Sequence, residues 1–262
     1  MASARRAAGH VDAGSRVDER DVEAGEGSTR EPRRRLSLWQ ETLVLLGAAL
    51  VLSFVVKSLF VQAFYIPSGS MEPGLEVDDR ILVQKVSYWG GGTPERGDIV
   101  VFEDPGGWLG DGEDVGPTTP VGKVLGKIGL YPTGGHLVKR VIGVAGDVVS
   151  CCDDEGRILV NGEPLEADFT LNEQACDGPM VTDCGEGWST EPVPAGHVFV
   201  MGDHRDASAD SSAHLCRPDE TECVPGSEFV SVDLVVGKVF ARVWPAGRFT
   251  ILHRPDTFAD VG

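Results

Sequence analysis

The sequence predicts a mostly β domain carried behind a single N-terminal transmembrane helix, and three observations lead there. One long apolar stretch, residues 42–61, stands near the start of the 262-residue chain; at 1.5 Å rise per residue it can cross a ~30 Å hydrocarbon layer. After it the apolar runs are short, rich in Val and Ile, and interrupted by many of the 34 Gly and 16 Pro, which is the punctuation of strands and turns. All six cysteines lie beyond the apolar stretch, which fits an oxidising compartment outside the cytoplasm.

Residues 1–35 are rich in Ala, Gly, Arg, Asp and Glu, with almost no large apolar side chain before Leu36. Such a segment cannot bury enough surface to offset its ordering entropy, so it reads as a disordered cytoplasmic tail. The helix follows, with Lys57 close enough to its far end to snorkel to the interface. Arg30, Arg33, Arg34 and Arg35 precede it, and the positive-inside rule then puts the N-terminus in the cytoplasm and residues 62–262 outside. A cleavable secretory signal ending near Val61, Gln62 and Ala63 is the competing reading. The long preceding tail and the length of the span favour an anchor.

Strands are expected at 80–86, 98–102, 137–144, 147–151, 157–160, 197–201 and 235–244. Asn161 and Gly162 signal a hairpin, because both tolerate positive φ. The polar stretches 103–135 and 171–194 read as loops or β ribbons on that core. Cys176 with Cys184, and Cys216 with Cys223, would close local loops worth about 2.5 kcal/mol each in chain entropy. A bond from Cys151 or Cys152 to Cys176 or Cys184 stays open as the alternative.

A formal charge of −18 speaks against a nucleic-acid partner, which needs a basic surface. No phosphate-binding GxxxxGK[ST] loop, dinucleotide fingerprint or paired-histidine metal motif occurs, so neither a cofactor nor a metal is expected. Two other segments make chemical sense together: Ile66-Pro67-Ser68-Gly69-Ser70-Met71-Glu72-Pro73, directly after the helix, and Lys139-Arg140-Val141-Ile142-Gly143. A serine hydroxyl attacks a carbonyl only when a base takes its proton, and a neutral amine can serve without histidine. With a reference pKa near 10.4, about one lysine in a few thousand is neutral at pH 7. The site must therefore disfavour the ammonium, and the apolar Leu137, Val138, Val141 and Ile142 around Lys139 could do so by burial.

Four blocks, FYIPSGSMEPGL (64–75), GDIVVF (97–102), KRVIGVAGD (139–147) and GDHRDASADS (202–211), stand in an order and spacing that resemble the bacterial type I signal peptidases, from about residue 43 to 245. The resemblance implies a membrane-anchored serine endopeptidase that cuts signal peptides from exported preproteins, embedded in the lipid bilayer with its catalytic domain, residues 62–262, extracytoplasmic. A smaller inserted β subdomain would occupy about 148–194. Ser70 would be the nucleophile and Lys139 the general base. The Ser70 N–H and the Ser68 hydroxyl would form the oxyanion hole, Ser208 would orient the lysine, and Asp210 would stabilise the site. Phe64, Ile66 and Val138 would shape shallow pockets for small residues at the first and third positions before the cut. The sequence departs from the family pattern at His204 and Ala207, where Asn is usual, at Val144 and Ala145 in place of Leu and Pro, and at Ser212, where Arg is usual. A self-cleaving repressor-type protease is disfavoured by the anchor and the cysteines. A catalytically impaired binding protein of the same fold is disfavoured by the presence of both Ser70 and Lys139.

Overall fold

The computed structural model describes residues 37–109, 135–173, 176–177, 187–216, 223–259 and 261, apart from the side chains of 56–58. The N-terminal tail, the Lys57 side chain, Cys184 and most of the polar stretch 103–135 therefore lie outside what the structure describes.

Helix α1 spans Leu38–Phe60, starting four residues earlier than the apolar run alone suggests. The reason is a capping box: Ser37 N–H donates to Gln40 Oε1 at 3.1 Å and Gln40 N–H donates to Ser37 Oγ at 3.4 Å, satisfying two N-terminal donors reciprocally. The window Leu38–Val55 has a mean hydropathy of 1.8 and none of it is buried. A helix apolar all round and uncovered by protein has the makeup of a membrane span.

Eight strands form one antiparallel sheet: β1 (Val61–Tyr65), β2 (Arg80–Gln84), β3 (Ile99–Glu103), β4 (His136–Val144), β9 (His197–Met201), β10 (Val230–Ser231), β11 (Val235–Trp244) and β12 (Thr250–Ile251). Their order is β1-β2-β11-β3-β4-β9-β10, with β12 also on β11. The ten-residue β11 thus lies between the N-terminal pair and the rest. β3 is buried on both faces: Ile99 and Val101 join an apolar cluster with Phe64, Ile66, Met71, Leu75, Ile81 and Val83, whereas Val100 and Phe102 join Leu137, Val141, Val198 and Val200. That two-sided burial explains its unbroken apolar run, which has no polar alternation.

Four short strands, β5 (Val149–Cys151), β6 (Ile158–Val160), β7 (Glu163–Pro164) and β8 (Trp188–Ser189), make a second sheet in the order β7-β6-β5-β8. Its Val149, Ile158, Val160 and Leu165 share one cluster with Ile142, Phe199 and Met201 of the main sheet, so the two sheets share one core. The β6–β7 hairpin turns on Asn161 (φ 55°) and Gly162 (φ 86°), the paired positive φ of a tight two-residue turn. The strand expected from 147 starts at Val149, because Asp147 is spent on the preceding turn, accepting from Val144 N–H at 2.8 Å. Cys216 is bonded to Cys223 and Cys151 to its neighbour Cys152, which resolves the open alternative for Cys151 and Cys152 in favour of the vicinal pair. No described cysteine is free.

Candidate active site

Ser70 lies in the loop between β1 and β2. The loop is pinned at its base by Ile66 N–H to Asp79 O (2.9 Å) and Asp78 N–H to Ile66 O (3.0 Å). Met71 and Leu75, both fully buried, hold its middle in the apolar cluster. Asp79 is buried as well, and its carboxylate accepts from Glu76 N–H at 2.8 Å and Arg248 Nη1 at 3.1 Å. Apolar anchors on one side and satisfied polar groups on the other give the serine a fixed seat, which a turn of this composition lacks by itself.

Lys139 belongs to β4, directly opposite Val100 of β3 and on the same strand face as Leu137 and Val141 by the two-residue period. The side chain is 4% exposed, and its Nζ lies 2.7 Å from Ser70 Oγ. The neighbouring Arg140 bolts the strand in place: its guanidinium makes a two-point contact with the Asp203 carboxylate (2.7 and 2.6 Å) and donates to Gly97 O at 2.9 Å. Both members of that pair are buried, so removing one would strand the other's charge at a cost of about 3–5 kcal/mol.

Asp203 opens the segment that closes the site. His204 N–H donates to Ser70 O at 3.1 Å. Gly202 packs so tightly that a Cβ there would collide with Ser70 O and Ser208 Oγ, so only glycine allows the approach. Ser208 is buried and donates to Asp210 Oδ2 at 2.6 Å. The same oxygen accepts from Gly202 N–H at 2.8 Å, and Asp210 Oδ1 accepts from Ser212 N–H at 3.1 Å and Ser212 Oγ at 2.5 Å. Ser212, standing where the resemblance leads one to expect arginine, is itself a donor to this carboxylate.

The structure thus brings Ser70, Lys139, Ser208 and Asp210 into one neighbourhood. Ser68 is exposed on the same loop, two residues before Ser70. Phe64 and Ile66 are 7% and 2% exposed and belong to the apolar core, and the partly buried Val138 packs against the same cluster. Sequence reasoning missed the close approach at Gly202 and the backbone bond from His204. Nothing local signals either contact, because each joins positions more than 130 residues apart.

The site sets a hydroxyl against a buried lysine on a β scaffold, and comparison with known proteins gives the class, a peptidase. The family model described as "Signal peptidase, peptidase S26" matches residues 39–244, and the chain belongs to that family. It is similar to a signal peptidase I of Mycobacterium tuberculosis (strain CDC 1551 / Oshkosh), 36% identical over 249 residues that cover 90% of this chain and 82% of that protein. A signal peptidase I of Leptolyngbya laminosa is 30% identical over 218 residues, covering 83% of this chain and 86% of its own length. Among solved structures, a signal peptidase I from Enterococcus faecalis V583 is 21% identical with a TM-score of 0.32, covering 55% of this chain and 95% of that one.

Proposed function

We propose that this chain is a membrane-anchored serine endopeptidase that removes signal peptides from exported preproteins, using Ser70 as nucleophile and Lys139 as general base. The observation that carries the reading is the 2.7 Å contact between Lys139 Nζ and Ser70 Oγ, made by a lysine that is 4% exposed. Burial penalises the ammonium and so favours the neutral form that can accept a proton. Lys139 Nζ takes the Ser70 proton as Oγ attacks the scissile carbonyl carbon. The oxyanion is met by the Ser70 N–H and the Ser68 hydroxyl. Collapse of this intermediate expels the amine of the mature protein, which takes the proton from Lys139 and leaves an acyl-enzyme. Water, deprotonated by Lys139, then releases the signal peptide.

Ser208 orients the lysine, and Asp210 stabilises the site by accepting from the Ser208 hydroxyl. Phe64, Ile66 and Val138 shape shallow pockets that admit small side chains. Residues 1–35 are the cytoplasmic tail, residues 62–262 the extracytoplasmic catalytic domain, and the second sheet belongs to an inserted segment at about 148–194 that packs on the core of the main sheet.

The test is cleavage of a signal-peptide-bearing preprotein by the full chain in detergent. Ser70→Ala and Lys139→Ala should each lower turnover by about 10³-fold or more while leaving thermal unfolding close to wild type, because the two groups act as a unit. Near-normal turnover in either variant rejects the pair.

A further inference from the structure

The carbonyls on both sides of the nucleophile's nitrogen are held by one residue. His204 donates its backbone N–H to Ser70 O at 3.1 Å, and its ring Nδ1 lies 3.2 Å from Gly69 O. Gly69 O belongs to the peptide unit whose N–H is that of Ser70. A peptide unit is planar and trans, so the direction of this carbonyl sets the opposite direction of the Ser70 N–H. A ring nitrogen bonds a carbonyl oxygen only when it carries the proton, so the contact is an Nδ1–H donor. Glu72 N–H supplies the other donor to Gly69 O, at 3.0 Å. The ring is largely covered, with 18% of the side chain exposed, and Nε2 lies 3.3 Å from Asp206 Oδ1. That oxygen is buried and makes no hydrogen bond among the described residues, so the Nε2 contact is close but poorly aligned. Glu72 Oε2 lies 3.8 Å from Nδ1.

We propose that His204 is a positioning residue for the oxyanion hole: its Nδ1–H, acting through the Gly69 carbonyl, aims the Ser70 N–H at the oxyanion of the acyl-transfer transition state. This rests on the proposed role of Ser70. The mechanism moves no proton through the imidazole. Its contribution is a direction, and direction matters because a donor counts only when aimed at the oxygen as charge develops there.

The two amide side chains separate the ring's two contacts. The asparagine introduced by His204→Asn would place its amide nitrogen about where Nδ1 stands, and the glutamine introduced by His204→Gln would place its own about where Nε2 stands. His204→Asn can therefore keep the bond to Gly69, and His204→Gln can keep only the approach to Asp206. The kinetics of preprotein cleavage are measured for the full chain in detergent with His204→Leu, His204→Gln and His204→Asn, beside Ser70→Ala. Deleting an oxyanion donor outright lowers kcat by about 10²–10³-fold; loosening its aim while Glu72 still holds the carbonyl should lower kcat by about 10-fold in the Leu and Gln variants, with KM unchanged. His204→Asn should restore most of that loss. Wild-type kcat in His204→Gln, or an Asn variant as slow as the Gln variant, overturns the inference, and so does a loss expressed in KM alone. Should His204→Leu fail to fold, the Asn and Gln pair decides. Activity retained in Ser70→Ala overturns the catalytic reading and this inference together, whereas an inactive Ser70→Ala beside an unimpaired His204→Gln overturns this inference alone.

Discussion

Asp210 takes hydrogen bonds from the Gly202 N–H, the Ser208 hydroxyl, the Ser212 N–H and the Ser212 hydroxyl, so Ser212 supplies two of its donors. The small residue supplies donors where the family pattern would supply a cation, and it fits a position that is 3% exposed. Restoring arginine would force a long charged side chain into filled space, and overpacking of this kind costs about 1–3 kcal/mol. Ser212→Arg should therefore lower the thermal midpoint and the denaturant midpoint. An unchanged or raised midpoint would show that the site has room the packing denies. That Ser70 and Lys139 would meet could be expected only from the four sequence blocks taken together, since a serine between Gly and Met near two prolines, or a Lys-Arg pair opening a Val-Ile run, is ordinary by itself. The 2.7 Å contact shows that they do meet. The roles of Gly202 and His204 were not legible, since what they do depends on a surface formed by a loop more than 130 residues earlier.

At the scale of elements, the strands of three or more residues beyond β1 could be read and the two-residue ones could not. β9 and β11 carry the bounds expected of them, because five and ten residues give the two-residue period room to show. β8, β10 and β12 are two residues each and exist only because a neighbouring strand offers its ladder. β1 was hidden by the apolar run before it: Val61 reads as the last residue of the helix until the pairing with Gln84 assigns it to the sheet. The corner between β4 and β5 supports a prediction of its own. Burial by itself pushes the Asp147 carboxyl up, but the Arg96 guanidinium, the Val144 N–H and the Asn161 amide outweigh it and hold the group below the usual carboxylate range. Its folded value is thus lower than its unfolded one. The stability it contributes is complete above the ordinary carboxylate pKa of about 4 and is lost as pH falls through the lower folded value. Asp147→Asn should reduce stability at pH 7 and flatten the decline between about pH 5 and pH 2. Denaturant titrations across that range would expose the error if wild type and variant fall in parallel.

For the whole molecule, the arginines before the helix set the expected orientation. Protease added to intact spheroplasts should degrade the region after Gln62 and spare residues 1–35, and protection of the C-terminal region would reverse the assignment. The β class and the apolar helix could be anticipated because both rest on hydropathy patterns that the sequence displays directly. The strand order could not, since it depends on which distant edges meet. That order carries a consequence in time. Ser70 sits between β1 and β2, and Lys139 sits in β4, while β2 and β3 meet only through β11, at residues 235–244. A chain that emerges from its N-terminus makes the serine first and the lysine some seventy residues later, yet the strand that joins their halves of the sheet arrives near the end. Non-local pairing of this sort forms late. A partly synthesised chain therefore holds Ser70 and Lys139 on two unjoined halves of the sheet until its last long strand is in place.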